Sequence, residues 1–448
     1  MKRISASRRH LALPLAVLLA SGLAGCGVLG GKDKPQTPTV GNRVPVLSRI
    51  ESGAKVDPAL ERVAVVLPTE QVNAEWTQAG GPASKATGHL ALSPAPARVW
   101  TASIAGSNGK RRLAAAPVVG NGRLYVIDTD AMIHAFDADT GRQVWQRQLQ
   151  VAGNLRDAAF GGGVSYADGR IYATNGVGQV AALDANTGAE IWKVKPAGPL
   201  RGAPTLAFGA VYVMTQDNQI YALDASDGSP LWQESGATAS AGVFGVAAPA
   251  AGQGTVVAGY STGELVAYRY ENGRTLWSDA LARTSISTQV GTLTDVDADP
   301  IIDSGRVYAL GQGGRMAAYE LVTGQRLWEL SLAGISTPAV AGEWIFTLTD
   351  DARLLAIAKS SGKVRWITQL REWRKAKKKA GQVFWTGPVL AGNRLWVANS
   401  LGELYAANVA DGTASEFADL GGSVSLPPIV ANRTLYILND DGKIAAYR

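Results

Sequence analysis

An eleven-residue pattern, Ala-x-Asp-x-x-Thr-Gly-x-x-x-Trp, returns along this chain and constrains its fold more than any other feature. It is complete in Ala182–Trp192, ALDANTGAEIW. Copies or near-copies end at Trp145, Trp192, Trp232, Trp277, Trp328 and Trp366, at steps of 47, 40, 45, 51 and 38 residues. A seventh copy has Glu416 where the Trp should stand, with Phe417 beside it, and an eighth begins as Ala446-Tyr447-Arg448. Repetition at roughly 40 to 50 residues points to propellers and related arrays, because one unit cannot bury its apolar faces alone and must stack on its neighbours.

Each unit divides into four short strands separated by turn chemistry. In the first, APVV is followed by the turn GNGR, then LYVID, MIHAFDA, the polar hairpin DTG and finally QVWQRQL. The second and third strands mix β-branched, aromatic and small residues, and Gly at the hairpin tip supplies the positive φ of a tight turn. Pro117, Pro204, Pro249, Pro300, Pro338, Pro388 and Pro428 each head the first strand of a unit. Proline cannot donate to a ladder, which suits an innermost edge strand. The last unit lacks a fourth strand, and an orphan fourth strand lies near the other end of the chain in ARVWTASIA, with Trp100 at the Trp position. The expectation is an all-β fold: an eight-bladed β-propeller of four-stranded antiparallel blades, the last blade closed by an N-terminal strand. The repeated Trp then packs between adjacent sheets, and Asp137, Asp184 and Asp224 form hairpin turns rather than a catalytic set.

The N-terminus sets the address. Lys2, Arg3, Arg8 and Arg9 precede an apolar run from Leu11 to Ala20, which reads as a secretory leader, too short for a stable spanning helix. Leu23-Ala24-Gly25-Cys26 matches the bacterial lipobox, and Cys26 is the only cysteine of the 448 residues. The expected organisation is a lipoprotein signal peptide over 1–25, a lipidated flexible tether over 26–60 rich in Gly, Pro and polar residues, and the propeller over 61–448, with core repeats over 97–448. Residues 61–96 read either as strands and turns on the propeller rim or as the start of the closing blade.

Charge narrows the function further. The formal charge is +6, but the leader carries four bases and no acid, so 39 bases remain against 37 acids, or +2. Six bases and one acid fall in one insertion, REWRKAKKKAGQVFW, over Arg371–Trp385. Such a distribution offers no nucleic-acid surface. The insertion reads as a solvated loop or short helix, or as a contact for anionic lipid or an acidic partner. With one Cys and only His10, His89 and His134, no metal cluster is indicated, and no nucleophile elbow, Walker loop or zinc-protease motif occurs. No catalytic residue and no metal ligand is expected.

The repeat resembles that of the quinoprotein (PQQ-dependent) dehydrogenases, which are eight-bladed propellers, and equally that of non-enzymatic relatives. Combined with the lipobox and tether, the chain resembles the lipoprotein scaffold family of the outer-membrane β-barrel assembly machinery. That resemblance implies a protein without a cofactor, lipid-anchored to the outer membrane on its periplasmic face. Its partner would be the periplasmic domains of the central barrel-forming subunit, and its clients nascent β-barrels. The family's acidic D-V-D-x-x-P segment falls on Asp295 and Asp297, within STQVGTLTDVDADPIIDSGRVYAL. A second family patch, a Leu-Arg-Gly run, falls by spacing on Val243-Phe244-Gly245, where the Arg is missing. A literal copy stands at Leu200-Arg201-Gly202, one blade too early. The alternative function is a lipid-anchored quinoprotein dehydrogenase, and a third is a sensor or cell-wall-binding propeller.

Overall fold

A computed structural model describes residues 54–237, 247–281 and 295–448. Residues 1–53, including Cys26, and the segment holding Val243 and Phe244 lie outside them. The described chain forms eight four-stranded antiparallel sheets and a two-stranded ribbon. Within seven sheets the strands pair in sequence order. The first, blade 1, runs Val118–Gly120, Arg123–Ile127, Met132–Asp137 and Gln143–Gln148. Blades 2 to 7 begin at Val164, Leu200, Ala250, Ile301, Ala339 and Trp385. Blade 8 joins the two ends of the described chain: Arg98–Ser103 is the outer strand beside Lys443–Tyr447, with Trp100 opposite Ala446 and Ala102 opposite Ile444. The amides of Ala97 and Arg448 each donate to the other's carbonyl, at 2.8 and 2.9 Å. The eight-bladed ring and its closure by an N-terminal strand are therefore as expected.

The repeated residues act together at seven of the eight seams. The pattern's Ala faces its own Trp across the third and fourth strands, as in Ala135 opposite Trp145 and Ala267 opposite Trp277, and the missing bulk lets the indole lie over the sheet. The indole then reaches the next blade. Trp277 Nε1 donates to the Leu321 carbonyl at 2.8 Å, and its ring lies against Gly324, where an added Cβ would come within 2.4 Å of it. Gly324 has φ +71°, so glycine serves both the turn and the close approach. The same donation runs from Trp100 to Ala138, Trp145 to Ala185, Trp192 to Ala225, Trp232 to Tyr270, Trp328 to Lys359 and Trp366 to Val409. The pattern's Asp shapes the receiving hairpin. Asp137 Oδ1 accepts from the Thr140 amide and hydroxyl, which hold its carboxyl below the usual range.

The substitution in the seventh copy follows from this geometry. Its Trp would dock on the third-to-fourth hairpin of blade 8, but there Arg448 pairs with Ala97 and no hairpin exists. Phe417 instead packs edge-on against Trp396 and Tyr447, with centroids 5.0 and 6.3 Å apart.

Two segments take forms only partly read from the sequence. The basic insertion is a hairpin, Trp373–Lys375 against Ala380–Gln382, with the expected short helix reduced to one 3-10 turn, Ala376–Lys378, at its tip. Residues 61–96 add no blade strand before Arg98 and make only single bridges to the inner strands. Pro204 and Pro388 lie within longer first strands, Leu200–Ala207 and Trp385–Ala391, at breaks in strand register rather than at the strand start.

Candidate functional site

The first strands line a central channel whose two ends differ. On the face carrying the first-to-second hairpins, a strap formed by residues 66–92 circles the ring. Trp76 exchanges two 2.8 Å backbone bonds with Val119 of blade 1, Thr77 accepts from Tyr166 of blade 2, Ala83 from Ala251 of blade 4 and Ser84 from Ile302 of blade 5. Gln78 bridges blade 3 by its side chain, accepting from the Leu206 amide at 2.8 Å and donating to its carbonyl at 3.2 Å. Pro68 rests on Gly342 of blade 6, Leu90 bonds blade 7 and Asn73 bonds blade 8. The strap thus pairs the free edges of the innermost strands, whose buried backbone groups need partners. His89 ties it to itself and to blade 7: Nδ1 donates to the Pro68 carbonyl at 2.8 Å and Nε2 accepts from the Asn393 amide at 3.2 Å.

Closed below by the strap, the channel is a funnel of about 840 Å³ floored by Trp76, Ala79, Gly80, Lys85 and Thr87. Its walls are largely apolar, with Leu113, Pro338, Trp385, Val389 and Leu426 among them, and Asp297, Asp299 and Gln312 as polar groups. Lys85 is fully buried; Nζ donates to the Ala79 carbonyl at 2.7 Å and to Thr205 Oγ1 at 3.3 Å. Burial pulls its pKa down to about 8, opposed by the charge of Asp299. Asp299 accepts from the Ala248 amide at 2.7 Å, and burial raises its pKa against the pull of Lys85.

Beside the funnel, where Asp297 is a lining residue, Asp295 and Asp297 meet Arg201. The guanidinium Nη2 lies 2.8 Å from Asp295 Oδ1 and 3.5 Å from Asp297 Oδ1, and all three residues are buried. The acidic pair is therefore buried and paired within the propeller. The residues entering blade 5 turn inward, with Val296 packed on Gly259 and bonded to Tyr260 of blade 4, which carries the carboxylates to blade 3. Spacing along the chain counts blades around the ring and misses this crossing; the literal Leu-Arg-Gly run supplies the cation. The cluster is incompletely satisfied. Among the described residues, Arg201 Nη1, Asp295 Oδ2, Asp297 Oδ1 and Gln312 Oε1 are buried without hydrogen-bond partners. Burial and the Asp295 charge raise the Asp297 pKa, and burial lifts Asp350, whose charge also bears on Asp297, to about 6.

The carboxylates are thus committed to Arg201, to a backbone amide and to the field of Lys85, and among the described residues no group of three or more His, Cys, Asp or Glu could hold a metal ion. His134 Nε2 is engaged by Asp128 at 2.8 Å. Such a donor set does not fit a calcium-held quinone.

Fold and site define a class: a propeller of tryptophan-docked repeats with a strapped, one-ended funnel whose polar groups are arranged for contact. The family model described as outer membrane protein assembly factor BamB matches residues 86–155 and 129–368. The Salmonella typhimurium protein of that name is 31% identical over 356 residues, covering 78% of this chain and 88% of the relative, and the Escherichia coli K12 protein is 30% identical over 354 residues with the same coverage. The chain belongs to the BamB family. The solved Moraxella catarrhalis BamB superposes with a TM-score of 0.66 at 20% identity, over 79% of this chain and 99% of that one. The quinohemoprotein alcohol dehydrogenase of Comamonas testosteroni gives 0.66 at 14% identity over 88% and 82%, a likeness of fold alone.

Proposed function

We propose that this protein is a non-catalytic scaffold for outer-membrane protein assembly, held at the membrane through a lipid on Cys26 and gripping the periplasmic domains of the central barrel-forming subunit. The wall of the funnel carries that grip. Arg201 Nη1, Asp295 Oδ2 and Gln312 Oε1 are buried without a hydrogen-bond partner among the described residues, and leaving such an atom unpaired costs about 1–3 kcal/mol. A partner reaches this cluster through Asp297 and Gln312, which line the funnel. Val243 and Phe244 are further residues proposed for the partner contact. Nascent barrel strands are the proposed clients, guided by transient contact with the same face.

The test is recovery of the barrel-forming subunit from detergent-solubilised membranes with the Asp297→Asn and Asp295→Asn variants, with thermal unfolding measured in parallel. A folded variant that loses the subunit supports the grip; full recovery removes these residues from it. Incubation with PQQ and calcium, followed by dye reduction, distinguishes a dehydrogenase, and turnover there would overturn the scaffold reading.

A further inference from the structure

We infer that the basic hairpin of the insertion is a docking element for an anionic phospholipid surface. Residues 374–382 are exposed without interruption, so the ribbon stands clear of the propeller body. Its base is fixed: Trp385 Nε1 donates to the Arg371 carbonyl at 2.8 Å, the Val383 amide donates to Glu372 at 2.9 Å, and Arg371 pairs with Glu403 at 3.0 Å. Beyond that base come Arg374, Lys375, Lys377, Lys378 and Lys379, none in an ion pair among the described residues and with no acid between them. A two-stranded ribbon is only marginally stable by itself, and five adjacent cations repel one another. The projection is therefore held out by its base with its charge uncompensated, which fits a partner that supplies negative charge.

The composition of the tip selects the partner. Four of its five cations are Lys, compact charges on flexible stems, whereas recognition of individual carboxylates favours the planar fork of Arg. Mobile lysines without a fixed geometry match a diffuse anionic surface, where each contributes independently of register. The ribbon leaves the ring between the last strand of blade 6 and the first of blade 7, beside the funnel mouth, where Gln382 donates to the Asp350 carbonyl at 3.4 Å and the Phe384 amide to Ser400 Oγ at 3.1 Å. Docking there turns the open end of the funnel toward the bilayer side. The inference rests on the proposed function in placing the chain beside a membrane.

The experiment uses the full chain with Cys26→Ser, so that no lipid anchors it, and vesicles of phosphatidylethanolamine with or without phosphatidylglycerol. The parent should bind only the anionic vesicles, and less as salt is raised. Replacing Lys377, Lys378 and Lys379 by Gln should weaken binding about a hundredfold. Replacing them by Arg should preserve it, with thermal unfolding unchanged in both variants. Equal binding by the Gln variant, equal binding to both vesicles, or no binding by the parent overturns the inference. Recovery of the barrel-forming subunit by the Gln variant separates the two readings. Lost vesicle binding with the subunit retained is the expected result, whereas a parent that binds vesicles but never recovers the subunit sinks the scaffold reading alone.

Discussion

At the scale of single residues the seams rest on paired requirements, and the pairs make measurable predictions. Trp277→Ala removes a buried indole and should cost about 3–5 kcal/mol in denaturant unfolding. Gly324→Ala meets the same indole from the other side and carries about 1–2 kcal/mol for left-handed backbone besides the overlap. The double variant should destabilise by less than the sum, because removing the indole relieves the overlap; strict additivity would show that the two do not share a seam. A second residue-scale prediction concerns pH. Asp350 has a folded pKa raised to about 6 and Asp297 is raised in the same direction, so between the ordinary carboxylate range and those values the folded state holds protons that the unfolded chain has released. Stability should therefore fall as pH rises through that window and level off above it. Asp350→Asn and Asp297→Asn should each flatten the slope of unfolding free energy against pH, and an unaltered slope would remove these groups as its source.

Among the elements, the blades were legible and the strap was not. Blades announce themselves because each needs alternating strands, a turn and a docking indole, which leaves an eleven-residue signature and assigns Asp137, Asp184 and Asp224 to turns. The strap satisfies a different requirement at each blade, by backbone at Val119, by an amide side chain at Leu206 and by van der Waals contact at Gly342, so no period marks it. Its role can be tested at Gln78. Gln78→Ala leaves the Leu206 amide and carbonyl buried without those partners and should cost about 1–3 kcal/mol. Hydrogen exchange at the Leu206 amide should rise while that at Ile345 in blade 6 stays constant. The site was half legible. The acidic segment pointed to Asp295 and Asp297, but their cation stands in blade 3, and only a connector folded inward over blade 4 joins them. Of the basic ribbon only the short helix was legible, as the 3-10 turn Ala376–Lys378; its strands escaped for lack of any alternation, since the cross-strand pairing holds two residue pairs, Trp373 with Gln382 and Lys375 with Ala380.

For the whole molecule, the decisive event is closure of the ring between Arg98–Ser103 and Lys443–Tyr447, about 350 residues apart. Loop-closure entropy grows only as the logarithm of length, so joining these ends costs about 4 kcal/mol more than closing a hairpin of a few residues. Against that stand the strand ladder and the burial of Trp100, which lies against Tyr436 of blade 8 as well as under Gly141, worth about 3–5 kcal/mol by analogy with other buried indoles. The closure therefore holds, but by less than the six seams from blade 1 to blade 7, where the same indole docks without the closure cost. Trp100 and Trp192 consequently make the same contact in different topological settings, and this gives a comparison in which chemistry is held constant. Trp192→Ala should lower global stability while the strands of its blade, still joined by short hairpins, stay paired. Trp100→Ala should release the outer strand of blade 8, exposing the Ile444 and Ala446 amides to hydrogen exchange and the Arg98 peptide bond to trypsin before global unfolding. Equal protection of blade 8 in the two variants would show that the ring is held shut by something other than this strand.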